Sequence, residues 1–347
     1  MKNILKFGCF IYAIIICSCS GSYDSIFGDK TKESKLPVTI ELGANRVELG
    51  GPEVLNISDI QIFDSILVIK GSVLSSEYFF HTFSIPQKTY CGSFVVKGRG
   101  AEEMMSPMMR GYSMNNNEVL VNLFDLNSKT TYALNLNQSI LNQKTEIAPL
   151  YELKGITFDV IQRELNYIAI HSKNNELSCS IIDSAAHYKD IVSLYSEVPV
   201  MENYSALSSA IAFDDKSNQL AIAMIKLPQV NFLNVKTKEK KTVAVSKESQ
   251  EWKTMLQKED EDRIMYYLDC AQSDKYFIAL YANVDFENWI NDTYESHLHV
   301  FDWEGNIIYD FKIGQTLKAI AYDKLHNTLY GVDVNDELYS YNFGTIH

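Results

Sequence analysis

Positive charge, proline and cysteine are scarce in this 347-residue chain. Lys and Arg number 31 against 44 Asp and Glu, a formal charge of −13. That deficit removes the broad basic surface on which phosphate-backbone binding depends, and it argues against nucleic acid and anionic lipid surfaces as partners. With 7 Pro and 16 Gly, collagen and Pro/Gly-rich disorder are out. Six cysteines in a chain of this length do not make a disulfide-stapled miniprotein. Beyond the N-terminus no apolar run approaches the ~18 residues that a membrane helix needs. What is present is 46% apolar and 12% aromatic residues, the composition of an ordinary globular protein able to bury a sizeable core.

The N-terminus reads as an address. Lys2 and Lys6 precede an apolar run from Phe7 to Cys17, the plan of a secretory signal and too short to span a bilayer. The run ends in Ile16-Cys17-Ser18-Cys19, which resembles a bacterial lipobox, so residues 1–18 are expected to be a lipoprotein signal and Cys19 the acylated residue. The alternative is a conventional signal cut nearby. Cleavage before Cys19 leaves 329 residues with a formal charge near −15. Residues 19–35, rich in Ser, Gly, Asp and Lys, are expected to be a flexible tether, and 36–347 a single domain. Cys91, Cys179 and Cys270 are far apart and odd in number, which points to reduced thiols.

The domain is built of repeats. Period-2 alternation in β-branched and aromatic runs of four to eight residues, separated by Asp, Asn, Ser and Gly, recurs along the whole body and marks an all-β chain. One unit returns six times, with its second strand marked by Leu67, Leu120, Tyr167, Leu220, Phe277 and Leu329. The spacings are 53, 47, 53, 57 and 52. A period near 50 with several strands per unit predicts a six-bladed β-propeller of four-stranded antiparallel blades. The last unit supplies three strands before the chain stops, and Pro37 to Leu42 is a strand with no blade of its own. Pairing that N-terminal strand onto the last blade would close the ring and remove two exposed edges.

With this repeat architecture, and with Lys97-Gly98-Arg99-Gly100-Ala101-Glu102-Glu103 after the first unit, the chain resembles the TolB-like six-bladed propeller lipoproteins of the Bacteroidota, whose Gly-Arg-Gly-Pro-Gly-Glu loop this segment matches except at Ala101 and Glu102. The resemblance implies a propeller fold and a bacterial cell-envelope address, lipid-anchored at the outer membrane. It implies little chemistry.

In four-stranded blades the loops between second and third strands lie on the same face as the connections between blades. The long, varied segments 98–110, 196–207, 246–263 and 282–296 all fall in those classes, so one face is expected to be loop-rich and to carry function. Its candidate ligand-binding residues are Arg99, Glu102 and Glu103, then Trp252 on a short amphipathic helix, then Phe286, Trp289 and Tyr294 among carboxylates and amides. Aromatic plates beside polar groups suit a carbohydrate or a peptide. The alternatives are a structural ion pair at Arg99, a stripe at Trp252 packed onto the rim, and rings in the 285–294 loop tucked inward.

Enzyme signatures are few. No Gly-x-Ser-x-Gly elbow, His-Glu-x-x-His helix, phosphate loop or dinucleotide fingerprint occurs. His297-x-His299 places two imidazoles on one strand face and, with His171 or a carboxylate, could hold Zn or Ca, but no cofactor is expected. Asp333 to Glu337 reads as a polar turn and Glu259 to Asp262 as a solvated face. The expectation is a lipid-anchored binding or scaffold module for a peptide, protein or glycan. The alternative is a metal-dependent lactonase- or lyase-like enzyme at the mouth of the central channel.

Overall fold

The computed structural model describes residues 22–28, 30–72, 77–100, 102–163, 166–183, 185–195 and 198–343. The signal segment, Cys19 and Ala101 lie outside them.

Six antiparallel sheets form a six-bladed β-propeller. The four strands of blades 1 to 5 run as a meander in chain order, as do the first three of blade 6. In blade 1 the strands are Leu55–Phe63, Ile66–Ser72, Tyr78–Ser84 and Thr89–Val96. The innermost strands of blades 2 to 6 are Pro107–Asn115, Thr157–Arg163, Ser209–Asp214, Met265–Gln272 and Leu317–Asp323. All six marker residues fall in second strands, which are apolar on both faces because neighbouring blades cover both. Between blades 4 and 5, for example, Phe232 meets Phe277 and Phe301 at ring distances of 6.3 and 6.0 Å. The tight first-to-second turns use Asp and Asn because they need positive φ: Asp64 at 57°, Asn117 at 67°, Asn218 at 57° and Asn327 at 52°.

The ring closes through the N-terminal chain, with different residues from those expected. Ala44–Arg46 is the fourth strand of blade 6, antiparallel to Leu338–Asn342. Thr39–Leu42, within the segment expected to close the ring, instead adds a fifth, parallel strand to blade 5 beside Ile307–Ile313.

The expected tether over 19–35 is corrected for its described residues. Ser22–Asp24 and Lys30–Glu33 form a hairpin, and the second of these pairs in parallel with Lys240–Ala244, the outer strand of blade 4. Between them Phe27 is fully buried, edge-on to Tyr195, with the Lys240 ammonium 4.7 Å from its ring. Lys240 Nζ also donates to the carbonyls of Phe27 and Ser193. The N-terminal chain therefore runs as a belt over the outer edges of blades 4, 5 and 6, where unpaired backbone would otherwise be exposed.

Hydrogen bonds join the long segments on one face. Ser205 Oγ donates to Asp260, linking 198–207 to 246–263, and Ser249 Oγ donates to Pro228 O in the second-to-third turn of blade 4. Ser106 N donates to Asp125 at the end of the second strand of blade 2. Tyr294 Oη donates to Leu317 O, where blade 6 begins. On the opposite face, Asp274 bridges Lys216 at 2.6 Å and Lys324 at 3.4 Å, tying the short turns of blades 4, 5 and 6 together.

Candidate functional site

Arg99, Glu102 and Glu103 are all exposed, and the described contacts contain no ion pair between them. Glu103 instead folds over its own loop: Gly100 N donates to its carboxylate at 2.8 Å, and Glu103 N donates to Gly100 O. A Cβ at Gly98 would meet that carboxylate, which would have to swing aside. The turn is thus capped by its own glutamate, and Arg99 stands exposed beside it. Pro107 to Arg110, counted with this loop from sequence, begin the inner strand of blade 2.

The helix expected around Trp252 is present as Trp252–Gln257. Met255 is buried, and Trp252 and Leu256 pack against the core between blades 3 and 4. The stripe packs onto the rim.

The blade 5 loop behaves differently. Asp285 caps the short helix Phe286–Ile290 by accepting from Asn288 N at 2.8 Å. The helix leaves Trp289 40% and Ile290 57% exposed. Phe286 sits 6.1 Å from the Trp289 ring, while Tyr294 turns inward. Beneath the helix is a cleft of about 360 Å³, bordered by Tyr281, Asp285, Asn288, Thr293, Glu295 and His297 among others.

His297 and His299 lie on Ser296–Asp302, the third strand of blade 5, away from the channel. Asp310 is directly across from His299 and in turn directly across from Thr39. His297 Nδ1 is 2.8 Å from Asp310 Oδ1, and Thr39 Oγ1 donates to Oδ2 at 2.6 Å. Burial alone would raise the Asp310 pKa, but these hydrogen bonds and the nearby imidazoles hold it below the ordinary carboxylate value. His299 is fully buried, stacked on Tyr281 at 4.2 Å with Nδ1 3.1 Å from the Tyr267 hydroxyl. Burial keeps it neutral. His171 belongs to blade 3, bonded to Ser180 and stacked on Tyr188, and does not join them. Among the described residues no group of three or more His, Cys, Asp and Glu is arranged to hold a metal ion.

A second constellation was not anticipated. Three positions beyond each marker on the second strands, the inner-strand partners are Asp59, Met109, Asp159, Ala210, Asp269 and Ala319. Aspartates thus alternate around the channel, on blades 1, 3 and 5. Register shifts at this level in every inner strand except that of blade 4 re-aim the backbone. Arg110, in the blade 2 bulge, pairs with Asp159 and donates from Nη1 to Met109 O at 2.9 Å. Asp269 accepts from Ile320 N at 2.8 Å. Aligning the six copies by their markers would have shown an aspartate before the inner-strand core in every second copy.

Arg110 borders two cavities. One, about 150 Å³, is the channel enclosed by all six inner strands. The other, about 180 Å³, opens between blades 3 and 4 from the loop-rich side, where Phe158 stacks on Tyr204 at 4.6 Å. Burial pushes the Asp59 pKa up to about 6 against the pull of Arg110 and Lys70. Burial, and then the charge of Asp59, push Asp269 up to about 7. For Arg110 burial alone would favour deprotonation, but Asp159 and Asp59 more than compensate.

A pH prediction follows from Asp269. Its folded pKa lies above the unfolded value, so the folded state binds more protons between about pH 4 and 7, and stability falls as pH rises through that window. Asp269→Asn keeps an acceptor for Ile320 N and removes the charge. Urea midpoints should show the variant more stable by about 2 kcal/mol at pH 8, with the difference shrinking toward pH 5. Equal pH slopes for the two proteins would contradict a desolvated carboxylate here.

The comparisons agree with the architecture. A family model described as TolB-like 6-blade propeller-like matches residues 58–324. A member of the DUF4221 family from Bacteroides vulgatus superposes with a TM-score of 0.53 at 10% identity, over 87% of this chain and 98% of its own. A luciferin-regenerating enzyme gives 0.52 at 9% identity, over 87% and 95%. At such identities the likeness is one of fold alone. The search of curated proteins finds no match.

Proposed function

Taking as premise that the chain belongs to the TolB-like six-bladed propeller family, we propose that it is a lipid-anchored envelope protein that binds a peptide, protein or glycan on its loop-rich face. The fold is compatible with a binding or scaffold module. The observation that carries the reading is the asymmetry between faces: tight Asp/Asn turns on one, and on the other a 360 Å³ cleft beside the exposed Trp289 and Ile290. The lipobox-like Ile16-Cys17-Ser18-Cys19 supports the address.

A test is co-purification of the full chain from native envelopes. The double variant Trp289→Ala/Ile290→Ser should lose its specific partner or glycan material, whereas Lys216→Glu on the opposite face should retain it. Equal recovery by both would count against the loop-rich face.

The metal-enzyme alternative loses its expected ligands, since His297 and His299 sit in outer blade 5 facing Asp310 and Tyr267. Aspartates from three blades do stand at one height around the channel, but Arg110 is paired with one of them and coupled to another. That arrangement favours a structural or proton-linked role over metal chemistry.

A further inference from the structure

We propose that the blade 5 cleft is a subsite for uncharged saccharide, read by His297 and preset by the N-terminal strand through Thr39. The inference rests on the binding reading above and names its ligand class.

The support begins with a committed imidazole. Asp310 is 4% exposed and carries Thr39 on one oxygen and His297 Nδ1 on the other. With Nδ1 held by the Asp310 carboxylate, Nε2 is the ring nitrogen left to meet a ligand hydroxyl. His297 keeps 23% of its side chain exposed and borders the cleft. Thr39 Oγ1, Asp310 and His297 form an unbroken chain from the belt strand into the cleft, so docking of Thr39–Leu42 sets the ring's orientation.

The rest of the lining selects the ligand. Asp285 and Glu295 supply carboxylate oxygens, Asn283 and Asn288 amides, and Thr293 a hydroxyl. Thr293 Oγ1 and the Asp285 carboxylate already orient Asn288. A pocket for an apolar peptide side chain is lined predominantly by hydrocarbon, whereas this one presents mostly hydrogen-bonding groups, which match a ligand dense in hydroxyls. Trp289, next in the chain to Asn288 of the lining, offers an exposed ring against which a sugar face can lie. Lys312 offsets Glu295 at 2.8 Å, but Asp285 has no cation in its described contacts. An acidic sugar would meet like charge there, and a neutral one would not.

The probes are mannohexaose and cellohexaose as neutral ligands and hexagalacturonate as the acidic one, titrated calorimetrically into the detergent-solubilised full chain at pH 7. A neutral hexasaccharide should bind and the acidic one should not. His297→Ala should weaken binding about tenfold or more, and Thr39→Val about three- to tenfold. The conservative His297→Gln should recover part of the loss. Thr39→Val should also move the His297 ring nitrogen resonances in NMR spectra recorded at pH 7, which a merely structural contact would leave in place. Tighter binding of hexagalacturonate, or unchanged affinity in His297→Ala, would overturn the assignment. If no saccharide binds while Trp289→Ala/Ile290→Ser still abolishes co-purification, the saccharide class fails and the binding face survives. If neither effect is seen, both fail.

Discussion

Arg110→Met is expected to destabilise the propeller by about 3–5 kcal/mol at pH 7.5. Methionine keeps an unbranched stem like arginine's and lacks the guanidinium head, so the loss is chiefly electrostatic. Its removal leaves Asp159 without its ion-pair partner and Asp59 without a cation that restrains its pKa. Desolvated carboxylates then face one another across the channel, and each must be solvated by too few donors or take up a proton. The penalty should therefore shrink at pH 5, where Asp59 and Asp269 are protonated, and the double variant Arg110→Met/Asp159→Asn should regain much of the stability. Urea denaturation of the four proteins of this cycle at both pH values measures it. A loss below ~1 kcal/mol at pH 7.5, or one independent of pH, would mean that channel solvent screens the cluster fully.

Phe27→Ala is expected to cost about 3–5 kcal/mol, the range for emptying a buried aromatic site. Phe27 lies only eight residues after the expected acylation site, where a free spacer would tolerate any substitution. The fold instead encloses its ring between Tyr195 and Lys240 in the core of blades 3 and 4. Val38, 87% exposed in the same N-terminal chain, is the control, and Val38→Ala should shift the urea midpoint negligibly. Equal effects at the two positions would return residues 22–33 to the role of a tether.

These two sites show which features the sequence made legible. Repeat spacing located all six second strands, because sandwiched strands are apolar on both faces and that leaves a strong signal. Closure by an N-terminal strand was also legible, but its register was not: Thr39–Leu42 and Ala44–Arg46 are adjacent and similar, and only the geometry of the outer edges assigns one to blade 5 and the other to blade 6. The hairpin over blade 4 escaped detection because backbone pairing to an open edge requires no apolar period, and Ile26-Phe27 is its one hydrophobic clue. Asp59, Asp159 and Asp269 belong to no local motif, and cross-strand registers place them at one height. His297 and His299 share one strand, as their spacing implies, but what they meet is fixed by Asp310 on the next strand and Thr39 on the one beyond.

The central claim is that one face of the ring does the binding, and in-cell photo-crosslinking tests it most directly. A photoreactive phenylalanine analogue would be placed at Tyr204 and Ile290 on the loop-rich face, and at Lys216 and His326 on the face of tight turns. The account predicts discrete adducts from Tyr204 and Ile290 that disappear in the Trp289→Ala background for the Ile290 probe, and none from Lys216 or His326. Adducts of equal yield from both faces, or from Lys216 and His326 alone, would contradict it.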